Sequence, residues 1–195
     1  MTDPDPAGTA DLSVDGTDGT DGVDPADLEA VHRQLGRPPR GVAAVAHRCP
    51  CGEPDVLRTQ PRLPDGTPFP TTYYATCPRL TGAVSTLETA GTMRTMTERL
   101  ADDEQLAAAY ARAHEAYLAS RAELGDVPEI HGVSAGGMPT RVKCLHVLVA
   151  HSLAAGPGVN PLGDEALEML EPWWQPFSCA DQHRRDDTSD EQAQR

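Results

Sequence analysis

Thr71-Thr72-Tyr73-Tyr74-Ala75-Thr76-Cys77-Pro78-Arg79-Leu80 marks the point at which the chain changes its structural pattern. Thr71–Thr76 is rich in β-branched and aromatic residues and reads as a strand. Pro78 suits a first helical position, because its fixed φ fits a helix and its missing N–H is not needed there. Cys77 then stands at the N-cap. A strand running directly into a helix divides the chain into a β part upstream and a helical part downstream.

Upstream, Val56–Gln60 reads as a second strand. It is joined to the first through Pro64-Asp65-Gly66-Thr67, in which Pro presets φ and Gly accepts a positive one. Val42–His47 is a third short apolar run of strand type, and Cys49-Pro50-Cys51-Gly52 makes a tight loop after it. The prolines around these segments indicate exposed edges. Further upstream, Asp24-Pro25 opens a helix to about Leu35. Leu28, Val31, His32 and Leu35 share one of its faces, and Gly36 is placed to stop it.

Downstream, the Pro78 helix runs to about Ala90 and ends at Gly91. A second helix covers roughly 93–100. A third begins at Asp102 with Gln105 as a capping-box partner. It carries Leu106, Tyr110, Ala113, Tyr117 and Leu124 on one stripe and closes at Gly125. Gly132–Pro139 is a Gly-rich loop feeding a helix over about 139–154, stopped by Gly156-Pro157-Gly158. Asn160–Asp164 is a further turn, and Asp164 is expected to N-cap a short helix to about Glu171. The fold class is therefore α+β: a small antiparallel sheet (about 42–76) packed against a helical bundle (about 78–171). Residues 24–177 form one domain. Residues 1–23 and 178–195 read as disordered acidic tails.

Charge supports that division. The 195-residue chain has a net charge of −14, and residues 1–24 hold seven Asp and no Lys, Arg or Glu. The domain itself is only mildly acidic and carries no basic stripe, so nucleic acid is not expected as a partner. No apolar run reaches membrane-spanning length, and no signal-peptide pattern opens the chain. A cytoplasmic location is expected, where five Cys read as thiols or metal ligands before disulfides.

Cys49, Cys51, Cys77 and Cys144 are the first chemical constellation. Four thiolates suit a tetrahedral zinc ion or an iron–sulfur cluster. The spacing, one C-x-C with two distant single Cys, is not that of a zinc ribbon. Buried small hydrophobes and redox or nucleophilic thiols are the alternatives. On a helix spanning 139–154, Cys144 and His151 would lie seven residues apart on the side away from the apolar face, and His146 about 160° from Cys144. That geometry argues against a Cys144–His146 pair and against either histidine joining the metal. His47, two residues before Cys49, is a possible ligand.

The second constellation is the Gly-rich loop. A helix N-terminus beside glycines is a ready site for phosphate or carboxylate. Ser134, Gly136, Gly137, Thr140, Arg141 and Lys143 are the candidate contacts for a small anionic ligand. Lys143 is the single Lys beside 15 Arg. An ordinary loop-to-helix joint is the plainer reading. A third segment, Pro61–Pro70 with Arg62, Asp65 and Phe69, fits either a lid or a rigid hairpin connection, the latter favoured by its turn chemistry.

Six stretches carry a resemblance: His47–Gly52, Pro61–Pro70, Thr76–Leu80, Gly132–Pro139, Arg141–His146 and Gly156–Asp164. Over about 47–170 the chain resembles the actinobacterial family called domain of unknown function 501. The resemblance implies membership and no activity. It also implies an association by gene neighbourhood with an exopolyphosphatase-like protein and a septum-initiator-like coiled coil. Three readings stay open. The first is a Cys-ligated metal domain with an anion-binding loop in a ligand-binding or regulatory role. The second is an enzyme acting on a phosphorylated or carboxylated small molecule, with a cysteine or Asp164 supplying chemistry. The third is an interaction protein linked to cell division or polyphosphate metabolism.

Overall fold

A computed structural model describes Thr20 and residues 22–179, and the two tails read from sequence lie almost entirely outside the described residues. The order of elements is α1 (Pro25–Leu35), β1 (Val42–Arg48), β2 (Pro54–Thr59), β3 (Tyr73–Ala75), α2 (Pro78–Thr89), α3 (Thr92–Asp102), α4 (Glu104–Ala122), a 3-10 turn at Pro128–Ile130, α5 (Leu145–Ala155) and α6 (Pro161–Glu168). This is the expected α+β arrangement, with strands in the order β1-β2-β3, all antiparallel.

The central strand explains the layering. In β2, Val56 faces the main core while Leu57 faces the opposite side, because alternate side chains point to opposite faces. Leu57 joins Val31 of α1 and Val42 of β1 in a small second core. Val56 and Tyr73 join the main core with α2, α4, α5 and α6. The sheet is thus covered by α1 on one side and the helical bundle on the other. Arg48 fastens α1 to β1 through two hydrogen bonds to Asp27, at 2.7 and 2.6 Å.

α5 is the axis of the bundle. Leu145, Leu148, Val149, Ala150, His151 and Ser152 are all buried, so the helix is covered on every side rather than along one stripe. Each large aliphatic side chain buried there contributes about 1.5–3 kcal/mol. His151 is 1% exposed and sits between two tyrosines. Its ring stacks on Tyr73 at 5.5 Å and meets Tyr117 edge-on at 5.2 Å. Asn160, fully buried, approaches His151 Nδ1 with its amide at 3.3 Å.

Local chemistry places the element ends, with three departures from expectation. Asp24 and Gly36 cap α1 as expected. α4 is capped by Asp103 rather than Asp102, its carboxylate accepting from the amides of Gln105 and Leu106. α6 is capped by Asn160, not Asp164: Asn160 Oδ1 accepts from Gly163 N at 3.1 Å with Pro161 at the first helical position. Asp164 instead reaches back to Gly158 N at 2.7 Å. The third departure concerns the helix expected over 139–154, which begins only at Leu145, with Cys144 as an extended N-cap residue. Residues 132–144 stay irregular because the loop closes on itself, Lys143 N donating to Gly136 O at 2.7 Å and Arg141 N to Gly137 O at 3.2 Å.

Gly163 lets α5 and α6 approach. A Cβ there would fall within contact distance of Leu148 O and Ser152 Oγ.

Candidate functional site

The β1–β2 hairpin ends in a tight turn: Cys49 N donates to Glu53 O at 2.9 Å and Gly52 N to Cys49 O at 2.8 Å. Gly52 supplies the positive φ of 91° that closes it. The turn presents Cys49 and Cys51 together. Cys77 enters from the end of β3 as N-cap of α2. The fourth thiol at this place is Cys179. Its Sγ lies 3.5 Å from Cys77 Sγ and 3.8 Å from Cys49 Sγ. The sulfurs of Cys49, Cys51 and Cys179 lie within 4.8 Å of one another, a group able to hold a metal ion. Cys49, Cys77 and Cys179 are buried and Cys51 is partly exposed.

Cys144 is not there. It belongs to a second group with Glu88 and His146, at the start of α5. Of the expected Cys49, Cys51, Cys77 and Cys144, the structure groups Cys49 and Cys51 with Cys179, brings Cys77 to Cys179 alone, and sets Cys144 elsewhere. The reason is a short return of the chain: Arg79 of α2 donates to Phe177 O at 2.5 Å and to Gln175 O, and so brings Cys179 back onto the hairpin. Trp173 and Trp174 pack against the core just before it. From sequence, Pro172-Trp173-Trp174 is a segment able to fold back on the core, but Cys179 falls in the tail, because nothing after Phe177 signals that the chain stays anchored.

The thiols perturb one another. Contact with Cys179, and then the Leu80 and Arg79 amides, hold the Cys77 thiol down at about 7. Cys179 is pushed up, first by that contact and then by burial. Burial pushes Cys49 up to about 11. Cys51 is lowered, the Glu53 amide and the Cys49 contact outweighing burial. Asp55, fully buried, adds negative charge near Cys77. Its Oδ1 is 2.7 Å from His47 Nδ1, while Oδ2 has no partner among the described residues. His47 therefore pairs with Asp55 and does not join the thiols.

The Gly-rich loop is arranged differently from a phosphate cradle. Ser134 Oγ pairs with His114 Nδ1 at 2.9 Å and with Met138 O at 3.2 Å, so the hydroxyl is spent inside the loop. Gly136 and Gly137 make close backbone approaches, Gly136 beside Val147 and Gly137 beside Arg141 and Lys143. Thr140 is exposed. The N-terminus of α5 is occupied by a carboxylate of the chain itself: Glu88 Oε1 accepts from Leu145 N at 2.7 Å. Arg141 and Lys143 face the wall of an open cleft of about 460 Å³, shared with Glu88, Arg94, Thr97 and Glu98. Three cations thus border the cleft. Arg94, which comes from α3, carried no signal in the sequence, since only folding brings it beside Arg141.

The Pro61–Pro70 segment uses its polar groups internally. Arg62 holds both carboxylate oxygens of Glu129 at 2.8 Å and Gly66 O at 2.7 Å. Asp65 accepts from Thr67 N at 2.9 Å. This is the geometry of a rigid connection.

Residues 45–168 match the family model described as protein of unknown function, DUF501. The chain belongs to the DUF501 family. No curated protein and no solved structure matches the chain. For a DUF501 protein the membership carries no activity with it, and the chemistry must come from the thiol group and the cleft. No helix among the described residues is long and apolar enough to cross a membrane.

Proposed function

We propose that Cys49, Cys51, Cys77 and Cys179 hold one zinc ion, which staples the domain and supports an anion-binding cleft at Arg94, Arg141 and Lys143. The observation that carries this is the spacing around Cys179. A tetrahedron with Zn–S bonds of about 2.3 Å has S···S edges of about 3.8 Å, against 3.5 and 3.8 Å for Cys77 and Cys49. Cys179 neighbours all three other sulfurs, while Cys77 lies more than 4.8 Å from at least one of Cys49 and Cys51, so binding would draw the Cys77 side chain inward. A cluster distributes its cysteines over separate irons, and one cysteine would not then touch three others. The spacing therefore favours a single ion over an iron–sulfur cluster.

With four sulfurs the ion has no open position, which suits a structural role. It joins three parts of the chain: the hairpin turn, the start of α2 and the segment after α6. When bound, zinc would hold these sulfurs as thiolates, and the depressed Cys77 thiol is already inclined that way. The ligand-binding role rests on the cleft, whose cations suit a small phosphate or carboxylate.

Elemental analysis with an absorbance spectrum tests the metal. One zinc per chain is expected, lost in Cys77→Ser and Cys179→Ser and kept in Cys144→Ser. Metal-free protein, or zinc that survives Cys179→Ser, refutes the reading. Visible charge-transfer bands would replace zinc with iron.

A further inference from the structure

The second group, at Cys144, does chemistry of a different kind. Cys144 is the N-cap of α5 in extended conformation, with φ −155° and ψ 114°. Because it precedes the helix, the angular argument against a Cys144–His146 pair does not hold. Cys144 Sγ is 3.8 Å from His146 Nδ1. His146 Nδ1 is also 3.2 Å from Glu88 Oε1, and the two lie on α5 and α2.

The other ring nitrogen fixes the proton inventory. His146 Nε2 is 3.1 Å from Thr81 O and 3.3 Å from Ser85 Oγ. Ser85 gives its own proton to Thr81 O at 2.8 Å, so both neighbours of Nε2 are acceptors. Nε2 therefore carries a hydrogen. A neutral ring would then turn the bare lone pair of Nδ1 toward the Glu88 carboxylate. Protonation of Nδ1 removes that repulsion and gives both N–H groups acceptors.

We propose that Cys144, His146 and Glu88 form a nucleophilic-thiol site, with the His146 ring held beside the sulfur, that takes a small anionic electrophile from the neighbouring cleft. Glu88, which groups with Cys144, and Lys143, next to the cysteine in the chain, line that cleft beside Arg94, Arg141 and Glu98, and the three cations would draw an anion toward it. Only the choice of an anionic substrate rests on the cleft reading given above. The thiol chemistry stands apart from it, and apart from the zinc centre. His146 is raised to about 9, first by Cys144, and Glu88 and Thr81 O also favour its charged form. The charged groups around the pair are Glu88 on α2, Arg141 and Lys143 in the preceding loop, and Arg94 and Glu98 on α3.

A divalent cation held by the same three side chains is the competing occupant. Glu88 Oε1 already takes Leu145 N and His146 Nδ1, which commits that oxygen to N–H groups. Glu88 is a positioning residue, orienting the ring that holds the proton.

In the test reaction the sulfur forms a bond to the CH2 carbon of a haloacetyl reagent as the carbon–iodine bond breaks. Iodide leaves with the electron pair, and His146 keeps its proton. The zinc-loaded full chain is treated with iodoacetamide between pH 5.5 and 9, and the label on Cys144 is quantified by peptide mapping. A free cysteine peptide loses about tenfold in rate per pH unit below about 8.5. At pH 7 Cys144 is expected to react at least about tenfold faster than the free peptide. His146→Asn is expected to restore the free-peptide rate. Iodoacetate should gain at least about tenfold over iodoacetamide relative to the peptide at low salt. That gain should disappear in the Arg141→Ala, Lys143→Ala double variant.

Labelling of Cys144 no faster than that of the free peptide in the unmutated protein overturns the proposal. So does a second metal equivalent that is lost in Cys144→Ser and whose removal by a chelator is needed for labelling. Enhanced labelling without iodoacetate preference overturns the anionic class of electrophile. Absence of zinc would defeat the staple and leave the labelling profile unchanged.

Discussion

Lowering the pH should destabilise this protein through one buried ring. His151, enclosed by Tyr73, Tyr117 and Asn160, is held down to about 4 by burial, from an ordinary value of 6.5. The unfolded chain takes up a proton below about pH 6.5, whereas the folded chain refuses it until about pH 4. Stability from this group is therefore complete above pH 6.5 and falls as the pH drops to 4. At about 1.4 kcal/mol per unit, the 6.5-to-4 interval amounts to roughly 3 kcal/mol. His146 does not enter this window. Its raised value, about 9, makes its contribution complete below pH 6.5 and lost only as the pH climbs to 9. Urea unfolding of the unmutated protein and of His151→Asn, each at pH 7 and pH 4, measures the effect. The unmutated protein should lose about 3 kcal/mol more than the variant between the two. Acid release of metal affects both proteins and drops out of the difference. Equal losses in the two would refute the account of His151 as a neutral buried ring.

Three further outcomes follow from the packing. Gly163→Ala pushes a methyl into Leu148 O and Ser152 Oγ at the α5–α6 contact and should cost roughly 1–3 kcal/mol in denaturant unfolding. Arg121 is 6% exposed and donates to Val133 O at 2.5 Å and Ile130 O at 2.8 Å. Arg121→Ala should cost about 3 kcal/mol and open residues 127–134 to limited proteolysis before global unfolding. A strong zinc chelator should lower Tm by more than about 10 °C in the unmutated protein and leave Tm unchanged in Cys179→Ser.

The sheet and most of the helices were legible because their signals are local. Asp24, Cys77-Pro78 and Gly91 announce ends through the backbone conformations that these residue types permit. The start of α5 was misread because Pro139 looks like a first helical residue, while the loop from Gly136 to Lys143 gains more by closing its own hydrogen bonds. That error carried into the chemistry, since it set Cys144 and His146 on a helical wheel to which Cys144 does not belong. Cys49 and Cys51 of the three-thiol group, and Cys77 beside Cys179, were named. Cys179 was missed because its placement depends on Arg79 gripping Gln175 and Phe177, a contact between residues far apart in the chain. Arg94 in the cleft escaped for the same reason. Arg141 and Lys143 were identified because they stand next to the loop itself.

The Arg79 grip has a consequence for where this protein can be cut. Recognisable family sequence stops at residue 168, before the sulfur of Cys179. A protease that nicked the chain just past Trp174 would leave every family hallmark in place and yet remove Cys179 from the thiol group. With the proposed zinc bound, a closed scaffold ion would become one with a vacant corner, open to water. Trimming the protein to its homologous region would on that proposal turn a structural metal centre into an accessible one.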